Sequence, residues 1–229
     1  MAMSFLTSVP VGNNIDWNKD NLRYFCIMLP IIGAVIGILL ACANFLITNF
    51  SGRSNFFNGA LMTLCNLIIT GGLHFDGFID TCDALFSHRD MEARLKIMSD
   101  PNIGAFGAAG CVMNLIFKCA LFGEINFNFK LVLIPVLSRL GMALLLNNLP
   151  FAKSDGLAKI LGSARVKHDN IYFIILAIIS ALIDCRLTFI NFLVFILWRR
   201  CCMKNFNGIT GDLLGAYIEL DEIILLLCI

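Results

Sequence analysis

Charged side chains are scarce in this chain: they make up 14% of its 229 residues, against 59% for hydrophobic ones. Soluble domains carry roughly a quarter charged residues, so the shortage excludes an ordinary water-soluble core. A mean hydropathy of +0.83 points instead to an integral membrane protein. Net charge is also lacking. The formal total is +1, and no basic amphipathic stretch is present, which excludes a nucleic-acid-binding class. Among ten cysteines and three histidines there is no CxxC pair and no HxxxH spacing, which sets zinc aside. Several cysteines (Cys42, Cys65, Cys111, Cys119) sit inside apolar runs, where a thiol acts as a small hydrophobe, and no disulfide framework is inferred. The Cys201–Cys202 pair beside Arg199 and Arg200 suits a reducing, cytoplasmic face. No Ser-His-Asp or Cys-His arrangement offers a covalent nucleophile, and no internal repeat is evident. The opening residues lack the apolar region and cleavage site of a leader and read as an ordered lead-in.

What is present is a series of long apolar runs. Residues 24–52 carry no charged side chain, ample for a helix across a hydrocarbon layer of roughly 30 Å. Pro30, Gly33 and Gly37 are tolerable within it, and Arg53 ends it. A second charge-free run, 54–73, leads into an acidic centre. Residues 103–123 and 131–149 are apolar except for Lys118 and Arg139. Two shorter runs, 171–185 and 187–198, are hinged by Asp184 and Arg186 and form either a tight hairpin or one re-entrant element. A last helix over 213–229 carries Glu219, Asp221 and Glu222, which make its first half unsuitable for facing lipid. The expected fold is all-α: a polytopic transmembrane bundle of about six to seven crossings, forming a single domain over 1–229. Lys19, Arg23, Arg89, Arg94, Lys96, Lys153, Lys159, Arg165, Lys167, Arg199, Arg200 and Lys204 fall in alternate loops, while only Arg53, Lys130 and Arg186 fall in the others. This positive-inside pattern places the N-terminus in the cytoplasm.

The stretch 71–110, GGLHFDGFIDTCDALFSHRDMEARLKIMSDPNIGAFGAAG, concentrates acids between very apolar flanks. Asp76, Asp80 and Asp83 are spaced i, i+4 and i+7, so a helix here projects three carboxylates within about 60° of one another. Like charges one turn apart repel, and near a membrane an unneutralised trio is harder still to hold. Oxygen ligands at this density suit a hard divalent ion, Mg2+ or Mn2+, which beside carboxylates holds phosphate oxygens. A solvated acidic helix face is the plainer alternative. Gly77 leaves space for a ligand's close approach, and His74 near the helix start reads equally well as a hydrogen-bonded structural residue. Buried cations need partners, so Arg139 is expected to pair with these acids or bind substrate phosphate, while Lys118 can snorkel. Residues 207–219 form a glycine-marked turn into a helix, with Thr210, Asp212 and Glu219. Asp212 and Glu219 lie on one face, though Asp212 can also be read as an N-cap. Acids and cations without a covalent nucleophile suggest metal-assisted displacement at phosphorus, for which two metals about 3.5–4 Å apart are one arrangement.

The runs GGLHFDGFIDTCDALF and RLKIMSDPNIGAFG resemble the signature of the cobalamin synthase family, adenosylcobinamide-GDP ribazoletransferase. FLTSVPV at residues 5–11, the Ser138–Arg139 pair and NGITGDLLGAYIE at residues 207–219 agree with it in order, so the resemblance covers the whole chain. An Arg commonly follows FLT in that family; Ser8 stands here instead, so the resemblance does not carry a phosphate contact over to that position. The resemblance implies that a ribose hydroxyl of alpha-ribazole, or of its 5'-phosphate, attacks the cobinamide-side phosphorus of adenosylcobinamide-GDP and releases GMP. In that reading Asp76, Asp80, Asp83 and Asp212 bind Mg2+. Arg94 and Arg139 offset charge on the leaving GMP, and His74 or Asp100 positions or deprotonates the hydroxyl. Gly77, Thr210 and Glu219 line the substrate site. The enzyme is expected in the inner (cytoplasmic) membrane with its site facing the cytoplasm, and an oligomer is compatible with it.

Two other classes fit less well. A CDP-alcohol phosphotransferase of phospholipid synthesis shares an acidic membrane motif, but no AR pair follows DG here at the position its pattern requires. An ion-coupled transporter would spread its charges along the spans, whereas these concentrate in one set of loops and the adjoining helix ends.

Overall fold

The computed structural model describes residues 18–125, 128–154 and 156–229. The FLTSVPV segment and Ser8 lie outside these. Helices make up the described chain, with no strand and a single isolated bridge between Phe151 and Ile209.

The first helix, α1 (Lys19–Phe50), starts at Asn18, whose side chain accepts a hydrogen bond from the Asn21 backbone N–H at 2.8 Å. At 32 residues it is about 48 Å long at ~1.5 Å per residue, more than a hydrocarbon layer needs. Gly33 and Gly37 lie directly on the backbone of Pro135 and Val132, so α1 packs closely on α6 (Lys130–Asn148). The expected second run forms α2 (Asn55–Thr70), capped by Ser54. It breaks at Gly71 and Gly72, both left-handed at φ 64° and 69°, where a side chain would be strained. Beyond this pair the chain turns through 99° into α3 (Leu73–Phe86). The aspartates thus lie on a helix, as their spacing predicts, beginning where an apolar helix ends.

A short helix, α4 (Met91–Ile97), is followed by α5 (Ala105–Glu124), which packs on α2. Then come α7 (Leu157–Gly162), α8 (Asp169–Ile183), α9 (Cys185–Phe206) and α10 (Gly211–Leu226). The two apolar runs hinged at Asp184 are therefore separate helices joined by that residue, whose side chain caps α9 and pairs with Lys130 at 2.8 Å.

Two helices form the centre. Most residues of α6 and α10 are buried on every side, and α10 packs on α3, α5, α6 and α9. The acids of α10 accordingly face protein and not lipid. The outer helices are the reverse: on α8, Ile171, Ile174, Ile175, Ile178, Ile179, Leu182 and Ile183 form an exposed apolar stripe at helical spacing. Such a surface is a poor match to water and a good one to hydrocarbon.

By length and composition α1, α5 and α6 qualify as membrane spans, and the bent pair α2 and α3 makes a fourth if it counts as one. The expected six to seven crossings exceed these because α8 has only 15 residues, α10 only 16, and α9 ends in charged side chains.

Candidate active site

The site begins at a helix crossing. A Cβ on Gly77 of α3 would lie 2.8 Å from the Cα and carbonyl oxygen of Asp212, and one on Gly215 of α10 would lie 3.1 Å from the Cα of His74. Residue 77 meets 212 while 74 meets 215, so the helices run antiparallel, backbone against backbone, for one turn. Gly77 therefore serves helix approach, not the ligand approach expected of it. The crossing brings Asp76 and Asp212, 136 residues apart in sequence, to the wall of one cavity of about 220 Å3. His74, Thr210 and Gly215 share that wall, while Lys153 and Lys159 lie on the segment after α6. Thr210 is the N-cap of α10: its hydroxyl accepts from the Leu213 N–H at 3.2 Å.

Asp80 and Asp83 do not line the cavity. Asp80, one turn beyond Asp76, remains within electrostatic reach of Asp76, Asp83 and Asp212, with Lys153 as the attracting charge. Asp83 has a different task. Its two oxygens accept the backbone N–H groups of Gly104 at 2.7 Å and Gly107 at 2.8 Å, capping α5, whose own N-cap glycine has no side chain to do so. A Cβ on either glycine would collide with the carboxylate. The IGAFG part of the signature is thus a socket for Asp83.

A cation fits this arrangement only in part. Among the described residues, no group of three or more histidines, cysteines and carboxylates is placed to hold a metal ion, so the three aspartates of α3 and Asp212 are not a preformed cage. Asp76 and Asp212 on one cavity remain, and Mg2+ is ordinarily held by one or two carboxylates, substrate phosphates and retained waters. The pair suits that ion and does not suit an all-protein site.

The expected substrate cations lie elsewhere. Arg139 is fully buried and ion-paired with Glu222. Glu219, expected at the substrate, is buried against Lys118 at 2.7 Å and accepts from Asn114 at 3.1 Å, while Lys118 also donates to Asn66 at 3.0 Å. These charges form a network behind His74, which lies within electrostatic reach of Arg139, Glu222 and Lys118. The Nε2 of His74 has no hydrogen-bond partner among the described residues. Arg94 donates to Asn205 at 2.7 Å, tying α4 to α9. Asp100 is exposed, and hydrogen bonds from the Asn102 backbone and side-chain amide hold its carboxyl below the usual carboxylate range, which makes it a weaker base. Sequence reasoning missed Lys153 and Lys159 as site residues, having counted the basic loop at 151–170 only for orientation. The available signal was a cluster of cations on the same predicted face as the aspartates.

Apolar helices enclosing a cavity with acidic and basic walls define a helical membrane protein with an internal site of enzymatic type. The chain belongs to the family described as Cobalamin-5-phosphate synthase, which it matches over residues 1–229. It is 34% identical to an adenosylcobinamide-GDP ribazoletransferase of Clostridium botulinum (strain Okra / Type B1), over 99% of this chain and 94% of that protein. It is 33% identical to proteins of the same name from Geobacillus sp. (strain WCH70), covering 96% of this chain and 89% of the relative, and from Geobacillus kaustophilus (strain HTA426), covering 98% and 92%. No solved structure matches it.

Proposed function

We propose that this protein joins adenosylcobinamide-GDP to alpha-ribazole, or to alpha-ribazole 5'-phosphate, with release of GMP. The observation that carries the reading is the glycine-mediated crossing that puts Asp76 and Asp212 on one cavity within a chain matching the family from end to end. A ribose hydroxyl oxygen forms a bond to the cobinamide-side phosphorus, and the bridging P–O bond of the diphosphate breaks, its electron pair leaving with GMP. The hydroxyl proton passes to solvent, and His74 on the cavity wall is placed to orient the hydroxyl that loses it. Asp76 and Asp212, with Asp80 one turn away, would hold Mg2+, which when bound neutralises diphosphate oxygens. Thr210 and Gly211 present a helix start to the same oxygens. Asp83 acts by positioning, and Arg94 and Arg139 support the scaffold.

The same reading orients the molecule. The loop cations favour a cytoplasmic N-terminus in the inner membrane, and counting α8, α9 and α10 with the four candidate spans gives seven crossings and a cavity on the cytoplasmic side. A CDP-alcohol phosphotransferase or a transporter is not favoured, because the family match is to neither.

The test is direct. Purified protein in detergent, given adenosylcobinamide-GDP, alpha-ribazole and Mg2+, is expected to release GMP and to stop when EDTA is in excess. Asp212→Asn is expected to lower turnover by ~100-fold or more, the order of loss when one preorganised electrostatic group is removed, with thermal unfolding unchanged. Turnover surviving complete chelation removes the metal; a wild-type protein that releases no GMP removes the reaction.

A further inference from the structure

Beside the aspartates, the cavity is bounded by the segment that follows α6. Residues 150–152 run parallel to residue 209: the Ile209 N–H donates to the Pro150 carbonyl and the Ala152 N–H to the Ile209 carbonyl, both at 2.9 Å. Gly208 permits the approach, since a Cβ there would lie 2.7 Å from the Pro150 oxygen. This bridge sets the register of two charges at once. Lys153 is one residue beyond Ala152, and Asp212 is three beyond Ile209, so the hydrogen bonds that pair the segments deliver an ammonium and a carboxylate to the same cavity.

The segment is held firmly. The Phe151 ring sits under the Arg165 guanidinium, 4.9 Å from it, and against Gly162, while Arg165 donates to the Leu149 carbonyl at 2.8 Å. Lys153 Nζ donates to the Ser99 hydroxyl at 2.7 Å, which uses one of its three protons. Its charge reaches both Asp80 and Asp212. Lys159 lines the same wall, its Nζ donating to the Ser154 carbonyl.

Charge counting shows what such a wall is for. A diphosphate esterified at both ends carries two negative charges, and Asp76 and Asp212 add two more. One divalent cation leaves two charges to offset, which is the number of lysines facing the cavity. The Lys153 wall is also free to meet the charge that develops on the bridging oxygen as it leaves, whereas the aspartate wall is not. We propose that Lys153, registered by the Phe151–Ile209 bridge, is a phosphate-binding catalytic residue that grips the diphosphate in the cavity it shares with Asp76 and Asp212, with Lys159 as its auxiliary. The identity of the diphosphate ester rests on the function proposed above; the phosphate chemistry of the wall does not.

The full-length protein in detergent is titrated calorimetrically with inorganic pyrophosphate in the presence of Mg2+, and kcat and KM for adenosylcobinamide-GDP are measured alongside. Lys153→Ala is expected to weaken pyrophosphate binding by ~10-fold or more and to lower kcat by ~100-fold. Lys153→Arg, which keeps the charge, is expected to recover most of the binding. Ser99→Ala separates substrate contact from anchoring: it removes the hydrogen bond of Lys153 while leaving the ammonium, and is expected to lose less than Lys153→Ala in both readouts. Pyrophosphate binding and kcat unchanged in a folded Lys153→Ala protein overturn the proposal, as does a Ser99→Ala loss equal to that of Lys153→Ala. If wild type binds pyrophosphate through Lys153 but releases no GMP, the lysine wall stands and the assigned reaction falls.

Discussion

A carboxylate that accepts two backbone N–H groups at a helix start has both oxygens committed, and Asp83 does this with Gly104 and Gly107. Its removal should therefore register first in stability. Asp83→Ala is expected to lower stability by ~1–2 kcal/mol, the loss of a helix cap strengthened by the charge at the positive end of α5, read as a reduced midpoint of thermal unfolding in detergent. Asp76→Asn should do the opposite, leaving that midpoint in place while GMP release collapses. The comparison separates two aspartates that spacing alone makes equivalent. Periodicity correctly put residues 76, 80 and 83 on one helical face, but it says nothing about what approaches that face. Asp83 meets the start of α5, Asp76 meets the cavity, and Asp80 lies between them. The glycines that distinguish them, Gly104 and Gly107, were visible in the sequence and gain meaning only once α5 is folded against α3.

At the scale of elements, the site depends on two helices lying closer than side chains permit. Gly77 touches the Asp212 backbone, so Gly77→Ala adds a methyl group where the nearest atoms are main chain and cannot swing aside. The helices must part, at an expected ~1–3 kcal/mol. The separation between Asp76 and Asp212 must then grow, so GMP release is expected to fall by more than the loss of folded protein explains; activity normalised to folded protein checks this. An unchanged normalised rate would show that the approach of α3 to α10 does not set the geometry of the acids. The GDLLG run was legible as a turn into a helix, and the family resemblance implied that its Asp212 meets the aspartate helix. What the sequence left open was the reciprocal glycine contact, because Gly77 and Gly215 each look like an ordinary helical glycine until their partner helix is known. The 99° break between α2 and α3, in contrast, was foreshadowed by the paired glycines at 71 and 72.

Across the whole molecule, the unusual feature is a set of charges sealed inside a bundle that shows apolar side chains outward. Lys118 and Arg139 on α5 and α6 face Glu219 and Glu222 on α10, two cations against two anions, all almost fully buried. Reasoning from cost alone, a cation in a membrane helix has to serve something, and the aspartates of α3 or substrate phosphate were the expected partners for Arg139. The partner is instead the acidic face of α10. Glu219, Asp221 and Glu222 were read as unable to face lipid, which is why α10 lies at the centre. Both halves of the pairing were thus recognisable separately, but linking residue 139 to 222 needed the packing of α6 on α10. The pairing stitches three helices together behind His74, and breaking one side of it leaves its partner charged and dry. Glu222→Gln is expected to destabilise the protein by ~3–5 kcal/mol by stranding Arg139, measured as thermal unfolding in detergent. Replacing both partners by methionine, Arg139→Met with Glu222→Met, is expected to restore much of that loss, since an apolar pair of similar volume needs no counter-charge. Lys118 keeps Glu219 in that double variant, so the remaining ion pair stays balanced. Pyrophosphate binding in the folded fraction should survive both changes, because neither residue lines the cavity. If the double variant is no more stable than Glu222→Gln alone, the charges are needed for more than each other, through the contacts Glu222 also makes with Lys118 and Ser138.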